Sequence, residues 1–136
     1  MATGGEYVFC RPDSGCAQNA IERIGGFGEG AGDAFVSKDS MADDYDSSAL
    51  RDNVRNAIRN HPNIKTLVGI WSYNAPAIVD VVAELNRRAD FTIVTFDAEP
   101  LAIAAMGRGK IDAMVVQNPY AMGYDGIKLL KAAGNE

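Results

Sequence analysis

An aspartate and a glutamine each close a strand-like run, Phe91-Thr-Ile-Val-Thr-Phe-Asp97 and Ile111-Asp-Ala-Met-Val-Val-Gln117. A carboxylate and a carboxamide on the rim of a parallel sheet offer fixed acceptors and donors, which suit a partner crowded with hydroxyl groups. Hydrogen bonds to a charged acceptor contribute roughly 1.5–3 kcal/mol, against about 1 for neutral pairs. In an open α/β sheet, ligands settle outside the carboxyl ends of the strands. Asp97 and Gln117 are therefore the first candidates for a binding mouth.

The other strand ends supply further polar and aromatic groups. Arg11, Pro12, Asp13 and Ser14 follow the first strand, with Gln18 and Asn19 at the start of the next helix. Asp39, Asp43, Asp44 and Tyr45 follow the second, and Trp71, Ser72, Tyr73 and Asn74 the third. Glu99 lies just past Asp97, and Asn118 and Tyr120 follow Gln117. Aromatic rings suit the apolar C–H face of a pyranose or furanose. Each residue also has a plainer reading. Asp and Asn at helix starts are ordinarily caps, worth about 1 kcal/mol. Asp43, Asp44, Asp46 and Asp52 read as a solvated helix start, and Trp71 as core packing.

These residues need a scaffold, and the periodicity supplies one. Apolar strand-like runs at 7–10, 34–36, 66–70, 91–96 and 113–116 are each followed by a helical pattern. Leu50, Val54, Ala57 and Ile58 share one helical face, and Ile78, Val81, Val82 and Leu85 another. Ala17, Ala20, Ile21, Ile24 and Phe27 mark the first helix, and Met122, Leu129, Leu130 and Ala133 the last. Ser47 or Ser48, Asn74 and Asn118 are placed as caps, and His61-Pro62 stops the second helix. Five βα repeats with short links predict one flavodoxin-like, doubly wound parallel sheet of order 2-1-3-4-5, helices on both faces. The glycine-rich run 25–32 follows a helix rather than a strand. It therefore reads as a frayed helix end and not as a phosphate-cradling loop.

Composition narrows the function. The chain has 136 residues, 47% hydrophobic and 23% charged, enough for one domain with one core. A net charge of −5 and a pI near 4.8 disfavour a nucleic-acid partner. No apolar run approaches the roughly 20 residues of a membrane span. The first residues have neither the basic start nor the apolar stretch of a secretion signal, and a strand begins almost at once. Two cysteines, Cys10 and Cys16, are too few for a disulfide scaffold, though they could close a small loop in an oxidising compartment.

Enzyme chemistry fits poorly. Cys10-Arg11-Pro12-Asp13-Ser14-Gly15-Cys16 after the first strand invites comparison with cysteine-dependent phosphatases. Their phosphate-clamping Arg would stand near Cys16, so Cys10 as nucleophile is a minor alternative. A response-regulator receiver needs paired acids after the first strand and a Lys after the fifth, where this chain has Cys10-Arg11 and Gln117-Asn118. His61 lies at a helix end opposite the rim, and neither a zinc nor a calcium pattern is present. The expectation is a non-catalytic chain without cofactor or metal.

Four segments carry a family resemblance. They are Gln18-Asn19-Ala20-Ile21-Glu22-Arg23-Ile24-Gly25-Gly26-Phe27, Asn60-His61-Pro62-Asn63-Ile64, Phe96-Asp97-Ala98-Glu99-Pro100 and Gln117-Asn118-Pro119-Tyr120-Ala121-Met122-Gly123-Tyr124. Together they resemble type I periplasmic sugar-binding proteins of the ribose-binding group, with the effector domains of LacI-type repressors behind them. The resemblance runs from about Tyr7 to about Ala133 and matches the C-terminal lobe only, over the whole chain 1–136. It implies a sugar ABC importer's solute-binding protein, periplasmic, whose two lobes close on a pentose or hexose. The N-terminal lobe and a membrane permease are then implied partners, and an isolated lobe could pair with itself through the exposed rim or hinge edge. Asp97 and Gln117 match the family's sugar-binding Asp and Gln. Tyr45 falls where the ribose group places an aromatic ring, and Tyr73 or Asn74 covers an Asn. Ile21 stands where that group carries a sugar-touching Arg, so Gln18, Asn19 or Arg11 would substitute. An effector-sensing lobe of a LacI-type regulator or chemoreceptor is the alternative.

Overall fold

The computed structural model describes residues 4–11 and 17–134. Five parallel strands form one sheet in the order β2-β1-β3-β4-β5. They are β1 (Gly5–Arg11), β2 (Phe35–Ala42), β3 (Ile64–Gly69), β4 (Thr92–Phe96) and β5 (Ala113–Val115). Between and after them come α1 (Gln18–Ala31), α2 (Ser47–Asn60), α3 (Asn74–Glu84), α4 (Pro100–Gly107) and α5 (Pro119–Ala133). This is the flavodoxin-like α/β architecture expected from the periodicity.

Alternation along the central strands divides the core in two. Val8, Cys10, Leu67 and Ile93 point to one face and are covered by α2, α3 and α4. Tyr7, Phe9, Val68, Ile70 and Phe96 point to the other, where Ala20, Ile24 and Phe27 of α1 lie against them. Burying a Leu, Ile or Phe contributes about 1.5–3 kcal/mol, so the central strands anchor the rim. Gly69 is required at its position. A Cβ there would lie 2.9 Å from Asn74 Cβ and 3.1 Å from Ile78 Cδ1.

Several local expectations need correcting. Strand β2 reaches Ala42, so Asp39 lies within it, opposite Val8, and faces the His61 ring at 3.6 Å. As an edge strand β2 pairs only with β1, and its exposed Ser37–Ser40 stretch tolerates the polarity that hid it from an apolar search. Helix α1 continues through the glycines to Ala31, held by Phe27 packing at 5.2 Å on Tyr7 and 5.5 Å on Phe9. Asp46, not Ser47 or Ser48, caps α2 by accepting from the Ser48 and Ala49 amides. Asn118 does cap α5, accepting from the Ala121 amide. A pairing of Cys10 with Cys16 involves a residue outside those described, as do Pro12, Asp13 and Ser14.

Candidate functional site

Strand β4 ends in a turn that aims a carboxylate. Asp97 has φ 66°, in the left-handed region that Asp tolerates better than most residues, and its amide donates to Val115 O at 2.9 Å. That bond ties the ends of β4 and β5 together. Gln117, two residues beyond β5, donates from Nε2 to Asp97 Oδ1 at 3.1 Å. The two side chains converge, and with Ala98, Val116 and Pro119 they line a cleft of about 270 Å³.

A third residue completes the arrangement. Arg23 on α1 meets Asp97 in a two-pronged contact, Nη1 to Oδ2 at 2.9 Å and Nη2 to Oδ1 at 3.2 Å. Nη1 also donates to Ile70 O at 2.6 Å, and the guanidinium lies 5.0 Å from the Phe96 ring centroid. The Arg23 side chain is 12% exposed and that of Asp97 31%. A carboxylate has about four lone-pair sites, and among the described residues these bonds occupy three. Because Arg23 neutralises Asp97, the mouth offers hydrogen bonding without demanding a charged partner. Sequence reasoning passed over Arg23, two positions beyond Ile21. One helical turn separates it from Ala20, whose burial faces α1 toward the sheet, and that spacing was the available signal.

The aromatic group lies after β2 and β3. Asp44 and Tyr45 take φ 49° and 65°, turning the Tyr45 ring outward, where it is 58% exposed. It packs 5.7 Å from Trp71 and 6.0 Å from Tyr73, centroid to centroid. Trp71 is half-buried against the α1-side core, and its Nε1 is buried without a hydrogen-bond partner. It packs both against the core and beside the Tyr45 ring.

Beneath these rings the structure corrects the solvated reading of Asp43. Its carboxylate is buried and accepts from Tyr73 Oη at 2.6 Å, the Tyr45 amide at 2.9 Å and Asn74 Nδ2 at 3.2 Å. Burial raises its pKa above the ordinary 3.8, and these three bonds oppose the rise. Burial, then the Asp43 bond, pushes the Tyr73 hydroxyl up as well. Asn74 is fully buried, with Oδ1 accepting from the Trp71 amide at 2.9 Å. Tyr73 and Asn74 thus support the Tyr45 and Trp71 loops from below, and their polar atoms point inward.

The remaining candidates are dispersed. Gln18 is exposed and donates to Glu22 at 2.9 Å, and Asn19 is exposed on the same turn. Arg11 donates from Nε to Ser40 Oγ at 3.0 Å, while its Nη1 is buried and unpartnered. Cys10 is sealed in the core. Burial first, then Asp43 and Asp39, pushes its thiol up to about 12, opposite to what a nucleophile needs. Among the described residues no group of three or more His, Cys, Asp and Glu side chains is placed to hold a metal. No described helix is long and apolar enough to cross a membrane.

A five-stranded parallel sheet of order 2-1-3-4-5 with flanking helices is the α/β architecture of periplasmic binding protein lobes. The chain belongs to the periplasmic binding protein domain family, whose model matches residues 1–136. It is 27% identical over 135 residues to the D-allose-binding periplasmic protein of Escherichia coli, covering 95% of this chain and 42% of that protein. A solute-binding protein from Burkholderia graminis, solved with D-arabinose, superposes with a TM-score of 0.84 at 25% identity, over 96% of this chain and 47% of that one. An arabinose-binding protein from Geobacillus stearothermophilus shares the fold at a TM-score of 0.87 and 19% identity, over 98% and 46% of the two chains. The chain spans about half the length of the relatives it matches.

Proposed function

We propose that this chain is a non-catalytic carbohydrate-binding lobe of a periplasmic solute-binding protein that serves a sugar ABC importer. The observation that carries this is the convergence of Gln117 and Arg23 on the Asp97 carboxylate at the rim. In this reading Asp97 accepts a hydrogen bond from a sugar hydroxyl, Gln117 brackets a neighbouring hydroxyl, and Arg23 holds the carboxylate in register. Tyr45, backed by Trp71, Tyr73 and Asn74, covers the ring's C–H face. Gln18, Asn19 and Arg11 lie outside the cleft that Asp97 and Gln117 line and take no part in this reading. The ligand is a neutral monosaccharide, a class supported by the relatives solved or named with D-arabinose and D-allose. A second lobe would supply the remaining contacts by hinge closure, and a membrane permease would receive the loaded protein.

The test is an amide NMR titration of this chain with D-arabinose, D-allose and D-ribose. Shifts should gather at Arg23, Tyr45, Asp97 and Gln117 and vanish in Asp97→Ala. The absence of shifts with any monosaccharide at concentrations well above about 1 mM, the affinity scale of roughly −4 kcal/mol, would overturn the reading.

A further inference from the structure

Asp43 lies one residue past β2, is 2% exposed, and has its backbone tied on both sides. Its amide donates to Arg11 O at the end of β1 at 3.2 Å, and its carbonyl accepts from the amide of Asp46, the cap of α2, at 2.8 Å. The carboxylate therefore projects from a fixed base. Each of its three donors leads to an aromatic ring. Tyr45 donates through its amide and Tyr73 through its hydroxyl, both to Oδ1. Asn74 donates from Nδ2 to Oδ2, while its own Oδ1 accepts from the Trp71 amide. One carboxylate thus reaches all three rings of the group, two directly and Trp71 through a single intermediate. An Asp that closed a turn on Tyr45 alone would be an ordinary local motif. The bonds to Tyr73 and Asn74, 30 and 31 positions away, bind that turn to the β3–α3 corner.

Tyr45 needs this hold. It and Asp44 stand in the left-handed region, φ 65° and 49°, which is unfavourable for a bulky side chain. The demand on Asp43 is also chemically strict. Asn74 cannot turn its amide round, because its Oδ1 serves the Trp71 amide. The Tyr45 amide can only donate. These two fixed donors meet different oxygens of Asp43, so the residue must accept on both.

We propose that Asp43 is the positioning residue for the aromatic side of the mouth, its carboxylate holding Tyr45 beside Trp71 where the ring covers the C–H face of a bound monosaccharide. The ligand in this assignment rests on the sugar-binding reading above. Asp43 itself lies beneath the rings and touches no hydroxyl of the sugar, so its loss weakens sugars of different configuration alike.

The experiment pairs fluorescence of Trp71, the chain's only tryptophan, with NMR titration by D-arabinose and D-allose. Asp43→Asn sets an amino group against either the Tyr45 amide or Asn74 Nδ2. Tyr45 should then leave Trp71, giving a red-shifted, more readily quenched emission in the ligand-free chain. About tenfold more of either sugar should be needed for the same shifts. Combining Asp43→Asn with Asn74→Asp exchanges the two groups, so that the new amide donates to a new carboxylate that still accepts from the Trp71 amide. This exchange should restore both readouts, whereas a residue that only stabilised the fold would move neither in the folded chain. Tyr45→Ala should weaken binding as much, and adding Asp43→Asn to it should weaken it no further. Should Asp43→Asn not fold, Tyr73→Phe removes one bond, keeps the ring, and should move both readouts the same way by less. Unmoved readouts in the variant that folds, an exchange that rescues neither, or additive losses with Tyr45→Ala would overturn the proposal. Absence of sugar shifts in the unsubstituted chain would overturn the sugar-binding reading and this proposal with it, whereas normal shifts there with unmoved variants would overturn this proposal alone.

Discussion

Arg23 sits at the centre of the rim, because one guanidinium joins the Ile70 carbonyl, the Asp97 carboxylate and the Phe96 ring. Arg23→Met should keep the fold, since the Met side chain fills similar space, but it leaves Asp97 without its two-pronged partner. Sugar shifts in the NMR titration should then weaken about tenfold or more, in line with the roughly 1.5–3 kcal/mol of hydrogen bonds to a charged group. Unchanged sugar shifts would show that the carboxylate is positioned by Gln117 alone. Asp43 makes a separate prediction. Its folded-state pKa is raised by burial, so the native state holds the proton more tightly than the unfolded chain does. Its contribution is therefore fully present below the unfolded value near 3.8 and is lost as pH rises through the raised native value. Urea unfolding between about pH 3 and 6, near the carboxylate range, should show wild type losing ground to Asp43→Asn as pH rises. A pH-independent difference between the two would mean that Asp43 titrates as it does in the unfolded chain.

At the scale of elements, α1 and the β3–α3 corner show opposite uses of glycine. Gly25 is exposed within α1 and has open space around it. Gly25→Ala should therefore stabilise the chain by about 0.5–1 kcal/mol through helix propensity. Gly69 is buried against Asn74 and Ile78, and Gly69→Ala should cost about 1–3 kcal/mol by overpacking. It should also disturb the Trp71 and Asp43 bonds that depend on Asn74. Thermal unfolding of both variants measures the pair, and equal effects of one sign would contradict the assignment. The surface ion pairs of Arg51 and Arg55 with Asp80 and Glu84 link α2 to α3, but as exposed contacts they contribute little.

On the scale of the whole molecule, an open rim leaves both sugar and side chains hydrated. This chain alone should bind monosaccharides at millimolar affinity or weaker, roughly −4 kcal/mol or less favourable. Calorimetry that returns a micromolar constant for the isolated chain would contradict the two-lobed mechanism.

Strand order, helix faces and the convergence of Asp97 with Gln117 were legible from residue types alone. A period of two or 3.6 records which side of an element is apolar, and parallel βα repeats force strand ends onto one rim. Asn118 was legible as a cap for the same local reason. Asp43, Asn74 and Arg23 were not, because an Asp at a solvated helix start and one buried under a Tyr hydroxyl look alike along the chain. Their roles depend on partners 30 to 74 positions away. Local patterns carry information about faces and caps, whereas burial and long-range hydrogen bonds exist only once distant segments meet.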